Sequence, residues 1–89
     1  MAEARSEITI TNHHGLHARP AMVLVDVASG FTADIRIVKG AQAVDAKSIM
    51  QLMMLAAVCG TKLEVVAKGS DADDAVAAIV ALNDADYEE

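Results

Sequence analysis

The residues best suited to do chemistry lie in one short stretch, Gly15-Leu16-His17-Ala18-Arg19-Pro20-Ala21. A neutral imidazole carries a lone pair and can act as a nucleophile. A guanidinium keeps its charge and offers a planar fork of donors that matches phosphate oxygens. If a helix begins here, His17 stands at its N-terminus, beside backbone N–H groups without intrahelical partners and at the positive end of the helix dipole. That combination holds an anion and sets a nucleophile inside it. An ordinary surface or N-cap histidine and a solvated arginine are the plain alternatives, and Pro20 by itself serves only to start a helix.

Other reactive residues are scattered. Ser48-Ile49-Met50-Gln51 matches a capping box, in which the serine hydroxyl and the glutamine side chain satisfy free backbone donors at a helix start. The same position also suits a phosphoserine, because the helix end favours negative charge. His13 and His14 together with His17 raise a metal-binding alternative. Adjacent histidines point in different directions, however, and no Cys or carboxylate joins them at ligand spacing, so no metal site is expected. Cys59, the single cysteine, reads as a buried small hydrophobe. Met22, Ile49, Met50, Met53 and Met54 could all be core. A short helix on a sheet buries only one side, so Met22, Ile49 and Met53 are read as an adaptable docking patch. Leu16 fits either the core or a partner contact.

The elements that must position these groups follow from periodicity. Residues 7–12, E-I-T-I-T-N, alternate as a half-buried strand, and Gly15 suits the turn that follows. Over residues 18–29 the periodicity is ambiguous: Val23, Val25 and Val27 alternate, while Ala21, Leu24, Val25 and Ala28 share a helical face. Pro20 near the start and Gly30 past the end favour a helix. Residues 31–38 and 41–44 read as a hairpin turning at Lys39-Gly40. After the Ser48 cap, Ile49, Leu52, Met53 and Ala56 define a helix face, and Cys59-Gly60-Thr61 ends that helix. Residues 62–68 form a strand with Leu63, Val65 and Ala67 on one side. Ser70-Asp71-Ala72-Asp73 opens a final helix with an acidic first turn, buried along Ala72, Ala75, Val76, Ile79 and Leu82. Residues 84–89 read as a polar, frayed tail. The order β-α-β-β-α-β-α, without repeat or linker, predicts one α+β domain over residues 1–89 with its helices on one face of the sheet.

Composition bounds the function. Apolar residues make up 54% of the 89, yet there is no tryptophan and only one Phe and one Tyr, so the core must be aliphatic. A single cysteine excludes an internal disulfide and suits a reducing cytoplasm. No apolar run reaches membrane-spanning length, and Met1-Ala2-Glu3-Ala4-Arg5 lacks the pattern of a signal peptide. The net charge of −6 argues against nucleic acid and acidic membranes as partners.

With these residues in view, Gly15-Leu16-His17-Ala18-Arg19-Pro20-Ala21 resembles the phosphorylation-site motif of the histidine-containing phosphocarrier (HPr) family of the bacterial phosphotransferase system. Lys47-Ser48-Ile49-Met50 resembles the family's regulatory-serine segment, and Gly60-Thr61-Lys62-Leu63 is similar to the lead-in to its last strand. The resemblance covers nearly the whole chain. It implies an open-faced β-sandwich, a four-stranded antiparallel sheet covered on one face by three helices. It also implies a carrier rather than an enzyme. His17 would accept a phosphoryl group through Nδ1 from enzyme I, Arg19 would steady the phosphoryl oxygens, and an enzyme IIA domain would receive the group. No metal or organic cofactor is implied, and a cytoplasmic monomer is expected. By the same resemblance Ser48 would be the target of an HPr kinase/phosphorylase. Partner docking in the family is often helped by lysines on the first helix. This chain has none there and carries Asp26 instead, so docking is expected to lean on apolar contact. A mainly regulatory protein of the nitrogen-related or catabolite-control branch, acting through phosphorylated Ser48 or His17, is the alternative.

Overall fold

A computed structural model describes residues 2–11 and 15–87. Their elements run β1 (Glu3–Thr9), α1 (Ala18–Ser29), β2 (Asp34–Lys39), β3 (Gln42–Asp45), α2 (Ile49–Met54), β4 (Lys62–Lys68) and α3 (Ala72–Asp84). The strands form one four-stranded antiparallel sheet in the spatial order β1-β4-β2-β3. Alternation sends Ile8, Ile35, Ile37, Val44, Leu63, Val65 and Ala67 to one buried face, and leaves Glu7, Asp34, Arg36 and Lys68 exposed on the other. The helices cover the apolar face through Ala21, Leu24 and Ala28 of α1, Leu52 of α2, and Ala72, Ala75, Val76, Ile79 and Leu82 of α3. Alanines at these contacts let the helices approach the sheet closely enough for an aliphatic core to fill without large rings. The expected open-faced sandwich is the fold observed.

Several boundaries differ from the sequence expectation, each for a tertiary reason. β1 spans Glu3–Thr9 rather than residues 7–12, because it pairs with β4 along its whole length, from Glu3 opposite Lys68 to Thr9 opposite Lys62. Ala4 and Ser6 are too weakly apolar to announce a strand, and Asn12 lies outside the described residues. The second strand begins at Asp34, not at residue 31, because the N–H groups of Thr32 and Ala33 are taken by the Asp71 carboxylate, both at 2.8 Å. α2 is only six residues long, and Ala56 lies beyond it, exposed and left-handed at φ 50°. It therefore does not share the helix face assigned to it.

Half of the capping box forms. Ser48 Oγ accepts from Gln51 N at 3.3 Å, but Gln51 Oε1 accepts from Asp45 N at 3.0 Å instead of returning to Ser48. The helix is thereby tied to the end of β3. Cys59 is exposed, not buried, since it sits in the turn between α2 and β4 rather than on a helix face. The tail is not frayed over its described part, residues 84–87. Asp86 and Tyr87 adopt left-handed backbone at φ 54° and 62°, which costs roughly 1–2 kcal/mol each. That turn carries the Tyr87 ring into the core, where burial raises its hydroxyl above the usual phenol range.

Asp71, the N-cap of α3, ties the start of that helix to the loop between α1 and β2. Backbone N–H donation from Thr32, with further donation from Ala33, holds its carboxyl below the ordinary carboxylate range. A depressed folded-state value means that this contribution is present above the unfolded value, about 3.9, and is lost as pH falls through the folded one. Denaturant titrations between pH 5 and 2 are expected to lose stability less steeply in Asp71→Asn than in the wild type. An identical pH dependence in both would remove Asp71 as a source of acid lability.

Candidate functional site

The acceptor stretch is laid directly on the segment after α2. Leu16 N donates to Ala57 O at 2.8 Å, and Gly15 lies so close that a Cβ there would stand 2.5 Å from Ala57 O and 2.8 Å from Val58 Cα. Gly15 also has φ +74°, so its lack of a side chain is required twice. The supporting segment is itself closed by a turn, in which Val58 N donates to Thr61 Oγ1 at 3.1 Å and Thr61 N to Val58 O at 3.0 Å. Leu16 is 4% exposed and packs in the core, so its side chain anchors the stretch instead of facing a partner.

His17 is the N-cap of α1, with extended backbone (φ −91°, ψ −167°) and a half-buried side chain. Its carbonyl accepts the first helical bond from Ala21 N at 3.0 Å, while its side chain makes no capping bond. The ring is therefore not committed to the helix start. Among the first-turn donors, Pro20 has no N–H, which leaves those of Ala18 and Arg19 at the helix end. No acidic residue occupies the first turn, so nothing there offsets the positive end of the dipole. Asp26 lies nine residues past His17, roughly 13 Å along the axis, beyond the Debye length of about 8 Å. Arg19 is exposed on the first turn, and Pro20 is buried.

α2 packs against α1. Ile49 is half-buried against the core, whereas Met22 and Met53 are 56% and 43% exposed. Met50, Met54 and Val58 are more exposed still, at 76%, 70% and 65%, and extend the apolar surface beyond the residues singled out from the sequence. The exposure of Met50 and Met54 follows from the shortness of α2, which buries only Leu52. The left-handed Ala56 just past α2 carries a Cβ where glycine is favoured, so Ala56→Gly is expected to stabilise the fold by about 0.5–1 kcal/mol. Chemical denaturation would read this as a higher midpoint at unchanged slope. His13 and His14 lie outside the described residues, so the metal alternative built on them has no geometry to weigh. Among the described residues no helix is long and apolar enough to cross a membrane.

Comparison with known proteins agrees with this arrangement. A family model described as "PTS HPr component phosphorylation site" matches residues 4–84. The phosphocarrier protein NPr of Shewanella violacea is 43% identical over 89 residues, covering 100% of this chain and 98% of the relative. The phosphocarrier protein HPr of Treponema pallidum is 43% identical over 82 residues, covering 92% of this chain and 93% of the relative. The crystal structure of HPr-C-His from Thermoanaerobacter tengcongensis superposes with a TM-score of 0.92 at 39% identity, covering 97% of this chain and 98% of that one.

Proposed function

The chain belongs to the HPr family of phosphotransferase-system phosphocarriers, and from that premise we propose that His17 is its phosphoryl acceptor, loaded by enzyme I and unloaded onto an enzyme IIA domain. The observation that carries this reading is the placement of His17 as N-cap of α1 with its side chain not used for capping, next to Arg19 and the N–H groups of the first turn. Phosphoryl transfer asks the protein mainly for positioning and charge stabilisation. The His17 ring supplies the attacking nitrogen, and the bond to the donor's phosphorus forms as the donor's P–N bond breaks. Arg19 and the helix end then stabilise the charge on the transferred group. The exposure of Arg19 keeps the grip open to solvent, so that the group can leave again for the next histidine.

Incubation with phosphoenolpyruvate and enzyme I is expected to add one acid-labile phosphoryl group, located on His17 by mass spectrometry of peptides kept at neutral pH. An unmodified protein, or label elsewhere, would overturn the reading.

Met22, Ile49 and Met53 are proposed to dock the partner proteins, as α1 and α2 bring an adaptable apolar surface to the flank of the acceptor. The absence of lysine from α1 supports partners met by apolar contact rather than by an acidic surface, as a nitrogen-related or regulatory carrier would allow. Ser48 caps α2, where a phosphoryl group would gain from the same backbone donors, and regulation through it belongs to that second reading. A cellular phenotype lost in Ser48→Ala but kept in His17→Ala would select regulation over transfer.

A further inference from the structure

The core and the exposed apolar surface of this chain are built from different residue types. Among the described residues the core is made of leucine, isoleucine, valine, alanine and Tyr87, and no methionine enters it. Met22, Met50, Met53 and Met54 are all exposed instead. Met50 precedes Met53 and Met54 by three and four residues on α2, which makes it a surface neighbour of both. Met22 stands on α1, which packs against α2. Any aliphatic side chain would supply apolar area at these positions. A thioether adds chemistry, because a mild two-electron oxidant attacks its sulfur and leaves leucine, isoleucine and valine untouched.

We infer that Met22, Met50, Met53 and Met54 form a modification site, at which a peroxide-class oxidant converts the docking surface from apolar to polar and loosens partner binding. In each step one peroxide oxygen passes to sulfur. The O–O bond breaks, an S=O bond forms, sulfur gives up two electrons, and hydrogen peroxide leaves as water. The sulfoxide oxygen is a strong acceptor, and sealing it beneath a partner strips it of its water. The same reaction spares the fold, since no methionine lies in the described core. It also spares the acceptor. Gly15, Leu16 and His17 are held against Ala57, Val58 and Ala21 by contacts in which no methionine side chain takes part. Oxidation therefore acts on docking alone, and it is reversible, because methionine sulfoxide reductases return the thioether. The inference rests on the docking reading of Met22 and Met53.

The test uses the full chain carrying Cys59→Ser, which removes the exposed thiol that would compete for oxidant. The protein is treated with hydrogen peroxide, and catalase destroys the excess before enzyme I is added. Peptide mass spectrometry should place one oxygen on each of the four methionines. In steady-state phosphorylation by enzyme I, KM for the oxidised carrier should rise at least about tenfold, with kcat and the denaturation midpoint unchanged. Methionine sulfoxide reductases A and B, one for each epimer, should together restore KM. A KM unmoved by complete sulfoxidation, a rise that the reductases do not reverse, or one that tracks a lowered midpoint would overturn the inference. Met22→Ala and Met53→Ala in untreated protein keep the two readings apart. An unaltered KM in both would remove the docking reading itself, whereas a raised KM there beside an unmoved KM after oxidation would remove only the oxidation. Calorimetric titration of enzyme I with oxidised and untreated carrier, without phosphoenolpyruvate, makes the same comparison if His17 proves not to be the acceptor.

Discussion

His17→Ala should fold as the wild type does and accept no phosphoryl group from enzyme I. The start of α1 survives the change because its first hydrogen bond uses the His17 carbonyl, which alanine retains, and no side-chain cap from His17 is lost. A stability change of about 1 kcal/mol or less, too small to unfold the domain, is therefore expected. The chemistry has no such redundancy, since alanine offers no lone pair to phosphorus. Arg19→Ala separates binding of charge from nucleophilicity. The ring survives, but the charge-assisted hydrogen bonds to the phosphoryl oxygens, worth about 1.5–3 kcal/mol, are gone. Transfer rates should drop by roughly ten- to a hundredfold, with labelling of His17 still complete at long times. Quench-flow labelling beside thermal denaturation would check both; a His17→Ala protein that still carried acid-labile phosphate would assign the acceptor to another residue.

Gly15→Ala carries the largest expected effect on stability. Two penalties add there: a left-handed backbone at φ +74°, and a Cβ 2.5 Å from Ala57 O, a backbone atom that cannot swing away. Gly40 provides the control, because its φ of +58° is also left-handed while nothing lies within 4 Å of the added carbon. Gly40→Ala should cost about 1 kcal/mol from backbone strain alone. Gly15→Ala should cost at least about 3 kcal/mol, a large part of the stability of a small domain. Because the clash is relieved only by lifting residues 15–16 off residues 57–58, the bond from Leu16 N to Ala57 O would go with it. Loss of phosphorylation should accompany the loss of stability. Equal midpoints for the two variants in urea would show that the segment after α2 yields freely, and would remove the clamp as the support of the site.

The site was more legible than the surface around it. Pro20 near the start and Gly30 past the end favoured a helix over residues 18–29, and α1 spans Ala18–Ser29 with His17 as its N-cap, since a helix start is a local structure that follows from chain geometry. The open-faced sandwich was legible for a similar reason. Alternation in residues 62–68 and the apolar stripe of α3 are periodic signals read within one element. Long-range decisions were not. Pairing with β4 extended β1 back to Glu3 through residues with little strand character, and Asp71 withdrew Thr32 and Ala33 from β2. Gln51 left its own helix cap for Asp45, a choice between acceptable partners that only proximity could make.

By itself, then, the sequence determined the order of elements and the residues proposed to hold and receive a phosphoryl group. Tertiary structure alone decided what supports them. The glycine that had looked like a simple turn is clamped on Ala57 and Val58, Cys59 is turned outward, and a tail that had looked frayed folds back through Tyr87 to Asn83. The clamp on Gly15 depends on residues far apart along the chain, whose meeting leaves no periodic mark in the sequence, and the return of the tail depends on a left-handed turn at Asp86 and Tyr87 that no periodicity announces.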